Sequence, residues 1–251
     1  MAKNKTHLIG GITGGIGSAL AEALSREGHT VAGYARDTEQ LESIHSKTGA
    51  LVKSCDATDP EALAETLGAF KEELGNIDSY THAIGSIYLK PAHSTPIEDW
   101  LNTLQINLSS AFYALRTMSQ IMMKQGHGSL LFFSTAAAQT GIANHEAIAA
   151  AKGGIEAMVR SAAATYSGRG LRVNAIAPSL TDTPLSKGIV GSEQALEISK
   201  RMHPLSAIAE APDIASLAAW MHSDAAKFVT GQTYVIDGGI SRIVPKPTAK
   251  R

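Results

Sequence analysis

Three glycines near the start of the chain have the spacing that phosphate binding needs. Gly11, Gly15 and Gly17 follow a short β-prone run, Thr6–Ile9, and open a helical pattern, Ile16–Glu27, that ends at Gly28. One glycine permits a tight turn, the next lets backbone approach a pyrophosphate, and the third lets the helix pack close to the strand. The helix N-terminus then presents free N–H groups and its dipole to the phosphates. A glycine cluster by itself also makes a plain turn. The strand before it and the helix after it are the context that a dinucleotide site requires.

The next strand ends Gly33-Tyr34-Ala35-Arg36. An acidic residue there would accept hydrogen bonds from the adenine-ribose 2′-hydroxyl and favour NAD(H). Ala35 occupies that position and Arg36 follows it. A guanidinium can meet a 2′-phosphate and stack on adenine, so NADP(H) is expected ahead of NAD(H). The alternative is an ordinary solvated loop charge. Asp56, after the third strand, can accept from the adenine amino group or cap the helix that starts at Pro60.

Elements that must hold these residues follow from periodicity. Strands are expected at Thr6–Ile9, Thr30–Tyr34, Leu51–Ser54, Ser79–Ala83, Leu130–Phe133, Arg172–Ala177 and Thr233–Ile236. Between them lie helical patterns at Ile16–Glu27, Thr38–Lys47, Pro60–Leu74, about Ile97–Gln125, Ala147–Tyr166 and Pro212–Met221. This alternation predicts right-handed βαβ units: an α/β, Rossmann-type, doubly wound parallel sheet with helices on both faces. A single domain over 1–251 is expected, with a lid-like substrate loop at about 179–210 where no pattern is clear. The tail after Ile243 (Pro245, Lys246, Pro247, Lys250, Arg251) reads as polar and peripheral.

Bulk properties narrow the function class. The 251 residues carry a net charge of −1, with 44% hydrophobic and 18% charged residues. Nothing in that balance invites nucleic acid or an anionic membrane. The apolar stretch Leu8–Leu24 behind Lys3 and Lys5 is broken by five glycines, which disfavours a signal peptide, and no run is long enough to span a bilayer. The lone Cys55 cannot form an internal disulfide, which fits a reducing cytoplasm, and reads as a small buried hydrophobe.

The motifs together resemble the short-chain dehydrogenase/reductase family over nearly the whole chain. They are the Gly11/Gly15/Gly17 loop, Cys55-Asp56-Ala57-Thr58-Asp59, Ile77-Asp78, and Asn107 in Gln105-Ile106-Asn107-Leu108. Then come Arg172-Val173-Asn174-Ala175-Ile176-Ala177-Pro178, Thr230-Gly231-Gln232 and Asp237-Gly238-Gly239. The resemblance implies a cofactor track through Gly11, Thr13, Gly15, Ile16 and Gly17, then Arg36, then Asp56 and Ala57. It continues through Ala83 and Gly85 to Asn107 and Lys152, and ends at Pro178, Thr181 and Thr183.

In that family a tyrosine exchanges the proton while hydride moves between nicotinamide C4 and a carbonyl or carbinol carbon. A lysine four residues later binds the nicotinamide ribose, a serine thirteen residues earlier bonds the substrate oxygen, and an asparagine holds a water. Here the lysine is Lys152, the asparagine Asn107 and the hydroxyl Thr135, but Ile148 stands where the tyrosine belongs. An isoleucine transfers no proton. His145, three residues before Ile148, is the expected stand-in if the helix starts early enough, and otherwise a surface histidine. Glu146 and Tyr88 are weaker candidates. His82 either borders the cofactor crevice or is packed in the core.

Leu185, Ile189, Val190 and Met202 predict a moderately apolar substrate pocket under the 179–210 segment. Small residues on the late long helix (Ala147, Ala149, Ala150, Ala151, Gly153, Gly154, Ala157 and Ala162–Ala164) allow close helix packing. The resemblance makes this a homodimer or homotetramer interface, with packing inside the monomer as the alternative. The expected function is an NADP(H)-dependent oxidoreductase for a small-molecule carbonyl or alcohol with a non-standard proton donor. The alternative is a chain that binds NADP(H) without turnover, as a sensor or assembly partner.

Overall fold

The computed structural model describes residues 4–245. The strands are β1 (Thr6–Gly10), β2 (Thr30–Ala35), β3 (Leu51–Ser54), β4 (Ser79–His82), β5 (Gly128–Phe133), β6 (Leu171–Pro178), β7 (Thr181–Asp182), β8 (Ala209–Glu210) and β9 (Thr233–Ile236). The helices are α1 (Gly15–Arg26), α2 (Thr38–Thr48), α3 (Pro60–Leu74), α4 (Ile97–Leu104), α5 (Ser110–Gln125), α6 (Glu146–Tyr166), α7 (Glu193–Met202) and α8 (Ala211–His222). Seven strands form one parallel sheet in the order β3-β2-β1-β4-β5-β6-β9, and β7 and β8 pair separately.

Residue period two along the strands builds two cores. Leu8, Leu130 and Phe132 point into one layer with residues of α3, α5 and α6. Their neighbours Ile9, Leu131 and Phe133 point into the other with residues of α1, α2 and α8. Strands buried on both faces need apolar residues at consecutive positions, which is why these runs do not alternate with polar ones. Local signals set the helix ends. Asp59 accepts from Glu61 N at 2.9 Å and Ala62 N at 3.1 Å, with Pro60 in the first turn of α3. Gly49 closes α2 in the left-handed region at φ 69°.

Two expectations change. The helical pattern at 97–125 is not one regular helix: Gln105–Ser109 forms a π-helical turn between α4 and α5, and it carries Asn107. The segment 179–210 is not patternless, because it contains β7, a short turn of helix at Pro184–Ser186, α7 and β8. Helix α7 carries Ala195, Ile198 and Met202 at helical spacing but buries only Ser199, so its apolar residues do not join the core. Cys55 is buried in the core as expected. Pro245 is exposed, and the rest of the polar tail (Lys246, Pro247, Lys250, Arg251) lies outside the described residues.

At the N-terminal edge of the sheet, burial makes the fold acid-sensitive. His7 Nδ1 lies 2.5 Å from Ser79 Oγ, while its Nε2 has no partner among the described residues. His222 sits 2.8 Å from Thr81 Oγ1 and 2.9 Å from Ser129 Oγ. Burial, then the neighbouring His29, lowers the His7 pKa from 6.5 to about 3. Burial, then His7 and Arg172, pushes His222 well below its ordinary value. Both rings bind a proton more readily unfolded than folded. The His7 contribution is therefore full above pH 6.5 and is lost as pH falls toward about 3, and His222 acts in the same direction. Thermal melts are expected to show Tm falling from pH 7 to pH 5, with the fall reduced in His7→Gln.

Candidate active site

The strand order puts the site where the chain reverses direction. From β1 at the centre, β2 and β3 build outward on one side, and β4, β5 and β6 on the other. The loops leaving β1 and β4 must diverge there, which opens a crevice at the carboxyl ends of the strands. Gly11 lies at that point with φ 77°, and a Cβ on it would come within 2.7 Å of Ala83 O. A Cβ on Gly17 would lie 2.2 Å from Gly11 O, so α1 could not approach the loop with any larger residue. The N-cap of α1, Gly14, has no side-chain cap, and the first turn holds no acidic residue. The first-turn N–H groups are thus free for a phosphate, with no carboxylate to repel it. These features fit the pyrophosphate of a dinucleotide.

The expected track follows the sheet edge from β3 to β6. Asp56 and Ala57 follow β3, and Arg36 follows β2 and is exposed. Asp56 does not cap α3, which is the work of Asp59. It accepts instead from Thr58 N at 2.9 Å and Thr58 Oγ1 at 2.8 Å. Thr13 lies in the glycine loop. The track meets a cavity of about 310 Å³. Its wall includes Ile16, Ala83, Gly85, Asn107, Thr135, His145, Lys152, Pro178, Thr181 and Thr183, whereas Gly11, Thr13, Gly15, Gly17, Arg36, Asp56 and Ala57 lie outside it. Thr183 stands over the glycine loop: a Cβ on Gly15 would lie 2.7 Å from its Cγ2.

Within the cavity, Lys152 and Asn107 are held by neighbouring helices. Asn107 Nδ2 donates to Ser86 Oγ at 2.8 Å and Thr103 O at 3.0 Å, while Oδ1 accepts from Ser86 N at 3.0 Å. The π-turn aims Asn107 at this loop instead of along a regular helix face. Gly85 leaves the room: a Cβ there would lie 2.9 Å from Asn107 Oδ1 and 3.3 Å from Lys152 Nζ. Burial lowers the Lys152 pKa from 10.5 to about 8. Ser134 is tied up by bonds to Glu156 Oε1 at 2.8 Å and Lys152 O at 3.1 Å. Thr135 is held loosely, donating to Pro178 O and accepting from Ala137 N at 3.4 Å each. Its hydroxyl is free to turn to a ligand.

Ile148 lines this cavity one turn before Lys152, at 6% exposure. His145 is the N-cap of α6, partly exposed, with Nδ1 2.8 Å from Ala143 O. His82 is a packed histidine. Its ring is 2.8 Å from Tyr80 Oη and 3.0 Å from Ser110 Oγ, and burial, then the Lys152 charge, lowers its pKa to about 3. Tyr88 donates to Asp99 Oδ2 at 2.9 Å and does not line the cavity, and neither does Glu146. Leu185, Ile189 and Met202 line the cavity as expected, but Val190 does not. Sequence reasoning missed Ser86, Ile142, Ser179, His203 and Ile240, all of which line it. Ser86 and Ser179 carried a local signal, their places beside Gly85 and Pro178.

Among the described residues no helix is long and apolar enough to cross a membrane, and no His/Cys/Asp/Glu cluster could hold a metal ion. The family model described as "Enoyl-(Acyl carrier protein) reductase" matches residues 11–241. D-threitol dehydrogenase of Mycolicibacterium smegmatis is 30% identical over 240 residues, 94% of this chain and 92% of its own. The 3-oxoacyl-[acyl-carrier-protein] reductase FabG of Haemophilus influenzae is 30% identical over 240 residues, covering 95% and 98%. The crystal structure of levodione reductase superposes with a TM-score of 0.91 at 29% identity, covering 96% of this chain and 99% of that one. Motif order, sheet order and relatives agree: the chain belongs to the short-chain dehydrogenase/reductase family of NAD(P)(H)-dependent oxidoreductases.

Proposed function

We propose that this chain is an NADP(H)-dependent oxidoreductase that interconverts a carbonyl and an alcohol on a small, neutral, mainly apolar molecule, with a proton donor other than a tyrosine. One observation carries the reading: Lys152, Asn107 and Thr135 converge on a single cavity at the crevice, around the position that Ile148 occupies. When bound, the nicotinamide supplies or accepts the hydride. Lys152 holds its ribose, Thr135 bonds the substrate oxygen, and Asn107 holds water behind Lys152. Ile84, Ile87, Ile142, Leu185, Ile189 and Met202 surround the substrate, and the wall contains no Asp, Glu or Arg among the described residues. Lys152 is the only lysine or arginine on that wall among the described residues, so an anionic substrate would find little fixed positive charge there.

Arg36 supports the NADP(H) preference, since its exposed guanidinium follows β2 with no carboxylate at Ala35. The purified chain is expected to bind NADPH more tightly than NADH. Arg36→Ala should weaken NADPH binding by roughly 10- to 100-fold, the loss of a charge-assisted bond pair, and leave NADH within about twofold. Fluorescence titration with both cofactors reads this directly. Equal losses for both would refute the assignment.

Ile148 also favours the second reading, a chain that binds NADP(H) without turnover. Tight NADPH binding with no NADPH consumption across a panel of apolar ketones would select it. A cytoplasmic homodimer or homotetramer fits the surface. Ile97, Leu101 and Phe112 are exposed on α4 and α5, and Ala150, Ala157 and Ala164 on α6, while Ala147, Ala151, Ala162 and Ala163 pack inside the monomer.

A further inference from the structure

Ser179 and His203 form a pair on the cavity wall that the roles above do not use. Ser179 follows Pro178 at the end of β6, and His203 caps the C-terminus of α7. Both line the cavity with Thr135, Ile148 and Lys152. His203 Nδ1 is 2.7 Å from Ser199 O, and His203 Nε2 is 2.9 Å from Ser179 Oγ. A carbonyl oxygen can only accept, so Nδ1 carries a hydrogen. In the neutral ring Nε2 is then the acceptor, and Ser179 donates to it. Protonation reverses that bond: Nε2–H donates to Ser179 Oγ, and the serine hydrogen is released toward the cavity.

We infer that Ser179, with His203 behind it, is the proton relay that replaces the missing phenol. This rests on the reading of the chain as an oxidoreductase. In reduction, hydride from the reduced dinucleotide reaches the carbonyl carbon and the C=O π pair moves to oxygen. That oxygen takes the Ser179 hydrogen as His203 Nε2 passes its own to Ser179 Oγ. The products are the alcohol, neutral imidazole and oxidised dinucleotide, and solvent reprotonates the ring. In oxidation the steps reverse, with neutral His203 as the base. Ser179 would touch the substrate oxygen, and His203 acts through it.

The surroundings of His203 suit this role. The ring is 4% exposed. The Asp237–Gly239 loop packs on it, a Cβ on Gly238 lying 3.5 Å from the ring. Burial raises the Asp237 pKa, but hydrogen bonds from Ser241 and Gly239 outweigh this and hold it below the usual carboxylate range. The other charges are Lys200 and Arg201 on α7 itself and Lys152 across the cavity. His145 lacks such an arrangement. Its ring bonds only to Ala143 O among the described residues, beside Asn144 at φ 65°.

Two measurements test the relay. In the cofactor-free chain, 15N-histidine NMR is expected to show the Nδ1–H tautomer at His203. Adding cyclohexanol should shift Nε2 in the wild type but not in Ser179→Ala. With NADPH and cyclohexanone, His203→Gln should lower kcat about 10- to 100-fold, keep KM within about threefold and remove one limb of the pH profile. Glutamine can keep both hydrogen bonds, so a merely structural tie would survive this change. Adding Ile148→Tyr to His203→Gln should restore kcat. The relay is overturned if His203 ignores cyclohexanol, or if turnover and its pH profile persist in both Ser179→Ala and His203→Gln. Absence of any turnover in the wild type removes the oxidoreductase reading and the relay together.

Discussion

Ile148→Tyr is expected to raise kcat for carbonyl reduction by roughly 10- to 100-fold, part of the ~10²–10⁴ that a positioned proton donor contributes. Residue 148 faces the cavity one helical turn before Lys152, so a phenol there shares a face with the ammonium. A positive charge nearby favours the phenolate and brings the tyrosine toward the working pH. The open volume of about 310 Å³ leaves room for the ring, so the overpacking cost of an enlarged core residue, typically ~1–3 kcal/mol, should largely be avoided. The assay is NADPH consumption with apolar ketones, beside a melting curve. A folded variant with unchanged or lower kcat would show that a phenol at this position does not carry the proton.

Lys152→Met should have a comparable effect in the opposite direction. It keeps the bulk of the side chain, removes the charge, and is expected to lower turnover by about 100-fold or more while weakening dinucleotide binding. Its stability signature is independent of catalysis. Burial lowers the Lys152 pKa from 10.5 to about 8, so between those values the unfolded chain holds a proton that the folded chain does not. Wild-type stability therefore gains a contribution as pH rises from about 8 to 10.5. Below pH 8 the folded state carries the desolvated ammonium, and the methionine variant should there be as stable as the wild type or more so. Denaturant titrations at pH 7 and pH 10 test this. A variant much less stable at pH 7 would contradict it.

Much of this site was legible in the sequence because its signals are local. Glycines that open a helix, Arg36 after a strand, and the Lys152 and Ile148 spacing each depend on residues a few positions apart. Asn107 is also legible from its motif, but its setting is not. The π-turn that aims it at Ser86 reads as ordinary helix, because the pattern of apolar residues continues through it. His82 had two readings, and only its pairing with Tyr80 and Ser110 on different elements placed it in the core. Asp56 reads as a possible cap of α3, and the backbone geometry gives that place to Asp59 instead.

Tertiary structure alone decided the rest. Ser179 and His203 lie 24 positions apart, and they meet because α7 folds back over the end of β6. Lys152 is an unremarkable helix lysine until burial lowers its pKa. What the sequence determined by itself is the alternation of strands and helices, the glycine loop and an isoleucine four residues before Lys152, since each is written in residue type and short-range spacing. Which hydroxyls and rings face the cavity depends on packing between distant segments, and burial and hydrogen-bond direction exist only once those segments are assembled.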